Sequence, residues 1–142
     1  MGIIEFLGAV VALVVVLGVG TVVHEYAHAS VLRAGGIPYE TEWLPDRDGA
    51  DLLRAGAFGT WAAVTPQALP ENTSPWLLRT SALMPLALAT PFALIPLGIV
   101  PDPVSTGNPY VITGSVAWLA CALPSPQDFS LVWYAEQAIA EA

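Results

Sequence analysis

His24, Glu25 and His28 are the residues of this chain whose types and spacing could do chemistry. They lie in the stretch TVVHEYAHAS, which holds both of the chain's 2 histidines. On a helix, positions i and i+4 face the same way, so the two imidazoles can aim at one point and bind one metal ion. Glu25 follows the first histidine directly, where a carboxylate can take a proton from a metal-activated water, as in H-E-x-x-H hydrolases. The opposing reading is two polar side chains at a helix end near the membrane interface. Against it, an ionisable group at membrane depth is expensive unless it works. Two histidines on one helical face cannot clamp a haem from both sides, and no further histidine exists for a larger cluster.

A hydrolytic zinc site takes three protein ligands and keeps one position for water, so one ligand is still needed. Asp128, in LPSPQDFS, is the candidate. The same residues also spell a helix start, with Ser125 as N-cap, Pro126 at the first helical position and Asp128 reaching back to the cap. Both roles are compatible, because a capped helix start is a rigid mount for a ligand. Glu40 and Glu42 rank lower, since the chain would have to fold straight back through Gly35 and Gly36. Cys121 lies about two turns deeper in an apolar run and reads as a small buried residue. Asp102 falls on the opposite side of the membrane, and Glu136 sits further into the tail.

Three apolar segments must position these groups. A bilayer core needs roughly 20 residues of helix, and the first segment, residues 3–34, carries only Glu5 within its apolar run from Ile3 through Val23. It lacks the cationic start of a signal peptide and reads as retained. Its stop is the glycine pair Gly35-Gly36. The second, 81–100, is uncharged but contains Pro85, Pro91 and Pro96, which predicts a bent or locally opened span. The third, 110–124, is short. Between the first two, 35–80 reads as loop with one or two brief strands forming a hairpin, with a turn signal at Asp48-Gly49. The tail, 125–142, reads as a short interfacial helix, with Trp133 and Tyr134 suited to the headgroup layer.

The expected fold is therefore an all-α membrane protein of one domain, 1–142. It has three transmembrane helices, a short β/loop insertion between the first and second, and a short C-terminal helix. Composition agrees: 55% of residues are hydrophobic and 11% charged, with mean hydropathy +0.63, more apolar than a soluble domain keeps off its surface. All 4 basic residues, Arg33, Arg47, Arg54 and Arg79, fall between the first and second spans. The positive-inside rule puts that loop in the cytoplasm, the N-terminus outside and the metal site near the cytoplasmic face of a cell membrane. Net charge is −8 with no lysine, so nucleic acid is not an expected partner. The single cysteine excludes an internal disulfide. The sequon at Asn72 falls on the cytoplasmic side and carries no glycosylation reading.

These residues resemble the site-2 proteases, intramembrane zinc metalloproteases with H-E-x-x-H on the first of three spans and an aspartate ligand near the end of the third. VVHEYAHASVLRAGG matches the first motif. CALPSPQDF matches the second in Pro124 and Asp128, with Cys121 where an asparagine stands in the family and Phe129 in place of a glycine. A divergent membrane zincin-like branch would fit these departures. The resemblance implies one Zn²⁺ on His24, His28 and Asp128, Glu25 as general base, and a membrane-embedded or membrane-adjacent protein as substrate. It also implies a strand after the first motif that holds extended substrate, for which GTWAAV is the place to look. The alternative function is a non-catalytic membrane metal-binding or scaffold protein that keeps the same site.

Overall fold

A computed structural model describes residues 2–43, 62–66, 69–70 and 73–141. Arg47, Arg54, the Asp48-Gly49 turn, Asn72 and the first half of GTWAAV lie outside the described residues. The described residues are predominantly helical and include a two-stranded sheet.

Helix α1 runs from Ile3–Ala34, 32 residues without a proline, or roughly 48 Å at 1.5 Å per residue. It ends at the glycine pair in a Schellman motif. The Ile37 N–H donates to the Leu32 carbonyl at 3.0 Å and the Gly36 N–H to the Arg33 carbonyl at 3.1 Å. Gly36 takes φ 70°, a left-handed conformation that glycine adopts without penalty. Among the described residues α1 is the one helix long and apolar enough to cross a membrane, and only 11% of its most apolar window is buried. Its most apolar window has the length and composition of a membrane span.

By contacts the chain divides into two units, Met1–His24 with Pro85–Ser125, and Glu25–Met84 with Pro126–Ala142. In the first, α1 meets helix α4, Pro109–Ala122. The contacts advance together along both helices. The Thr113 hydroxyl donates to the Ala9 carbonyl at 3.3 Å, and the Cys121 thiol lies 3.7 Å from the Leu17 carbonyl. The two helices are therefore parallel. α4 starts on Asn108, whose side chain accepts from the Tyr110 N–H, with Pro109 in the first turn. It stops where Pro124 forces Leu123 into an extended conformation, ψ 132°.

The expected second span is not one continuous helix. A 3₁₀ segment, Met84–Ala89, leads into a single turn, α3, Thr90–Ala93, and then into turns. The prolines explain the break. In a 3₁₀ pattern the Leu88 carbonyl would accept from residue 91, but Pro91 has no N–H. The Trp118 indole donates to it instead, at 2.9 Å.

The second unit holds strands β1, Tyr39–Trp43, and β2, Ala62–Pro66, paired antiparallel with Thr41 opposite Val64. Helix α2, Pro75–Leu83, packs on helix α5, Pro126–Ala140, which kinks at Tyr134. Leu32, Ile37, Leu78 and Ala135 form its core, with Tyr39, Val64, Leu131 and Ile139 packed against them. The pair Leu32 and Ile37 is also the apolar contact that closes the end of α1. Trp133 and Tyr134 stay exposed on α5.

Close approach of α1 and α4 depends on Gly20, where an added Cβ would lie 2.6 Å from the Cys121 Sγ. Helix propensity alone would make Gly20→Ala stabilising by about 1 kcal/mol. Overpacking opposes it by about 1–3 kcal/mol, so the variant should unfold at a lower temperature in detergent. Part of that loss should return with Cys121→Ala. A raised melting temperature in the single variant would contradict the close contact.

Candidate metal centre

The helix itself relates His24 to His28, since α1 is unbroken and they stand one turn apart. His24 is half-buried and His28 buried, 8% exposed. Each ring is anchored through Nδ1. His24 Nδ1 lies 2.7 Å from the Cys121 carbonyl oxygen, and His28 Nδ1 lies 2.8 Å from that of Ser81. A carbonyl oxygen can only accept, so in both rings Nδ1 carries the proton and donates it. The lone pair of each neutral imidazole is then on Nε2, the tautomer that a metal requires.

Both anchors sit in the last turns of their helices, Cys121 in α4 and Ser81 in α2. The Cys121 carbonyl is among the last of α4, and the Ser81 carbonyl, whose α-helical donor would be Pro85, accepts from the Met84 N–H and keeps a lone pair for His28. Both therefore accept from the rings and raise the basicity of Nε2. The Ser81 hydroxyl donates back to the His28 carbonyl at 3.2 Å, fixing α2 to this turn of α1.

Asp128 lies in the first turn of α5, with its Oδ1 3.3 Å from His28 Nε2. A charge-assisted N–H···O bond would be shorter, about 2.7–2.9 Å. Two atoms each about 2.05 Å from a tetrahedral zinc stand about 3.3 Å apart, as these do. With the ring proton on Nδ1, Nε2 faces the carboxylate oxygen, a contact that a second ring proton or a bound cation satisfies. The ligand atoms of His24, His28 and Asp128 all lie within 4.8 Å of one another, and this group could hold a metal ion. A set of two imidazoles and one carboxylate is one that divalent transition metals accept.

Glu25 is half-buried on α1 and borders a cavity of about 60 Å³ with Tyr26, Ala29 and Thr41. Of the lower-ranked acids, Asp102 accepts from the Val104 N–H at 2.9 Å, Glu40 and Glu42 lie in β1, and Glu136 accepts from Arg79. Cys121 takes part through its main chain rather than its thiol, and Ser81 was not anticipated at all. A backbone acceptor leaves no mark in residue type, although the positions of helix ends could have hinted at both.

Asp128 is held in place by the packing of α2 on α5, and Arg79 of α2 joins the two. Its Nη2 donates to both carboxylate oxygens of Glu136, at 2.6 and 2.8 Å, and its Nε to the Val132 carbonyl at 3.0 Å. The guanidinium also lies over the Trp76 ring, 5.4 Å from its centre. A hydrogen bond from its own backbone N–H, then that from Arg79, hold the Glu136 carboxyl below the usual glutamate range. A lowered carboxylate stabilises the fold at pH above its unfolded value and loses that contribution as pH falls through the folded one.

Comparison with family models, with curated proteins and with solved structures finds no match to this chain.

Replacing His24, His28 or Asp128 with alanine should each weaken zinc binding by more than the roughly 10–100-fold typical of outer partners, measured by competition with a chelator. An Asp128→Ala protein that holds zinc as tightly as the parent would remove Asp128 from the ligand set. Arg79→Ala should also weaken binding, by about 10-fold, but not once Asp128 is already alanine. Equal losses in both backgrounds would show that Arg79 acts on the fold in general and not through Asp128.

Proposed function

We propose that the chain is a zinc-dependent intramembrane metalloendopeptidase, similar to the site-2 proteases, that hydrolyses peptide bonds of membrane-embedded or membrane-adjacent proteins. The observation that carries this reading is the pair of Nδ1-anchored imidazoles beside Asp128, with Glu25 between the two histidines in sequence. His24, His28 and Asp128 would hold the ion. Bound there, zinc supplies Lewis acidity, which eases deprotonation of a water and polarises a carbonyl. Glu25 takes a proton from the attacking water and returns one to the leaving amine, as a C–O bond forms and the C–N bond breaks. The Cys121 and Ser81 carbonyls keep both rings oriented throughout. The substrate must be unwound where it is cut, because a helix engages its carbonyls in its own hydrogen bonds.

Three crossings of the membrane belong to this reading. α1 is long enough to cross, and α4 runs parallel to it. Two parallel spans of one chain need a return between them, and the proline-broken stretch 81–100 supplies it. Local unwinding at membrane depth is tolerated where other side chains satisfy the backbone, as Trp118 does for Leu88. The arginine bias of the sequence supports a site toward the cytoplasm. Exposed Trp133 and Tyr134 would lie at that interface, anchoring α5.

Glu25→Gln separates hydrolysis from metal binding. The variant should retain zinc and lose peptide cleavage by about 100-fold or more, the usual scale of a general base. Full cleavage by purified Glu25→Gln would take Glu25 out of the mechanism. Zinc binding without cleavage in the parent protein would favour a non-catalytic metal-binding scaffold.

A further inference from the structure

We propose that Pro85 is a positioning residue for the metal centre: having no N–H, it releases the Ser81 carbonyl to set the tautomer and aim of the His28 ring. This rests on the metal-binding reading and adds to it a residue outside the ligand set. In a continued α-helix the Ser81 carbonyl would accept from the N–H of residue 85, which a proline lacks. The chain passes instead into the 3₁₀ segment Met84–Ala89, and the Met84 N–H gives that oxygen one bond. One lone pair remains. Ser81 is 3% exposed and the Pro85 side chain under 2%, so the second donor has to come from the protein rather than from bulk water. His28 Nδ1 supplies it at 2.8 Å. The proton is thereby committed to Nδ1, and Nε2 of the neutral ring is left as the metal-binding atom.

The same device acts elsewhere in the chain. Pro91 denies the Leu88 carbonyl its 3₁₀ donor, and the Trp118 indole occupies that place at 2.9 Å, where no metal ligand takes part. Pro124 stands three residues after Cys121, the carbonyl of which meets His24 Nδ1 at 2.7 Å. Three ring nitrogens thus bond carbonyls that have a proline three or four residues downstream. Of these prolines Pro85 alone is buried, where an added N–H would find no water to bond and would turn to the Ser81 carbonyl.

Nonsense suppression places either alanine or its α-hydroxy analogue, lactic acid, at position 85 of the full chain, purified in detergent. Both replace the proline ring by a methyl group, but the lactic ester has no N–H, as in proline. Histidine rings are labelled with heavy nitrogen in the metal-free protein, and their tautomers are read by NMR at a pH where imidazole is neutral. His28→Ala identifies the His28 signals. Zinc affinity is measured by competition with a chelator. Pro85→Ala should populate the Nε2–H tautomer of His28, leave His24 as it is, and weaken zinc binding by about 10-fold, the scale of a lost outer partner. The lactic ester should keep the parent tautomer and recover most of that affinity.

Equal losses in both proteins would assign the effect to packing of the proline ring and overturn the proposal. So would a Pro85→Ala protein whose His28 stays wholly in the Nδ1–H form. In a parent that binds zinc, unchanged affinity of Pro85→Ala would do the same. If Pro85→Ala fails to fold, an ester that folds with the parent tautomer supports the missing donor, and an ester that also fails to fold overturns it. Should the parent bind no zinc, the hydrolase reading falls, and the ring tautomers still decide the role of Pro85.

Discussion

The donation of each Nδ1–H to a backbone carbonyl is the interaction on which the rest of the centre depends. Imidazole has two nitrogens and two neutral tautomers, and a pair of histidines one turn apart guarantees neither the right tautomer nor a common aim. Here the Cys121 and Ser81 carbonyls settle both at once, at 2.7 and 2.8 Å. Neither oxygen can give up a proton, so the rings have no choice of tautomer. Because the acceptors belong to the main chain, substitution of side chains at 81 and 121 leaves them in place as long as their helices stay where they are.

That dependence transfers the demand for precision from the histidines to the ends of α2 and α4. α4 ends where it does because Pro124 cannot follow a helical residue comfortably. α2 gives way to a 3₁₀ segment at Met84, and Pro85 within that segment is buried. In both cases a proline fixes the end of a helix whose carbonyl anchors a histidine. The composition of 13 prolines in 142 residues is therefore not merely a source of loops. In this chain prolines set where strong acceptors appear.

Much of this was legible beforehand, and the reasons are local. α1 could be placed at residues 3–34 because an unbroken apolar run met a glycine pair, and the left-handed φ of Gly36 is what such a pair provides. α4 was legible from an asparagine-proline start and a proline stop. The histidine pair was legible because helical spacing alone decides which side chains share a face. Asp128 carried two meanings in the sequence, cap and ligand, and its 3.3 Å approach to His28 could come only from the packing of α5. The break in the second apolar segment was legible too, because helix continuity depends on donors that Pro85, Pro91 and Pro96 lack. Ser81 and Cys121 left no mark in residue type, since every residue carries the carbonyl that they contribute, and only the helix ends hinted at them.

The few charges of the second unit follow the same economy. Arg79 is engaged on three sides at once, by the Glu136 carboxylate, the Val132 carbonyl and the Trp76 ring. An exposed ion pair alone holds little, because water and salt compete for both partners. A guanidinium that also donates to a main-chain carbonyl and lies on an indole has lost most of its freedom already, so each contact makes the next less costly in entropy. α2 brings the Ser81 carbonyl to His28, and α5 brings the Asp128 carboxylate to the same ring. One arginine between these two helices therefore constrains both sides of a single imidazole, which is a sufficient physical reason for a cation at that place in so sparsely charged a chain.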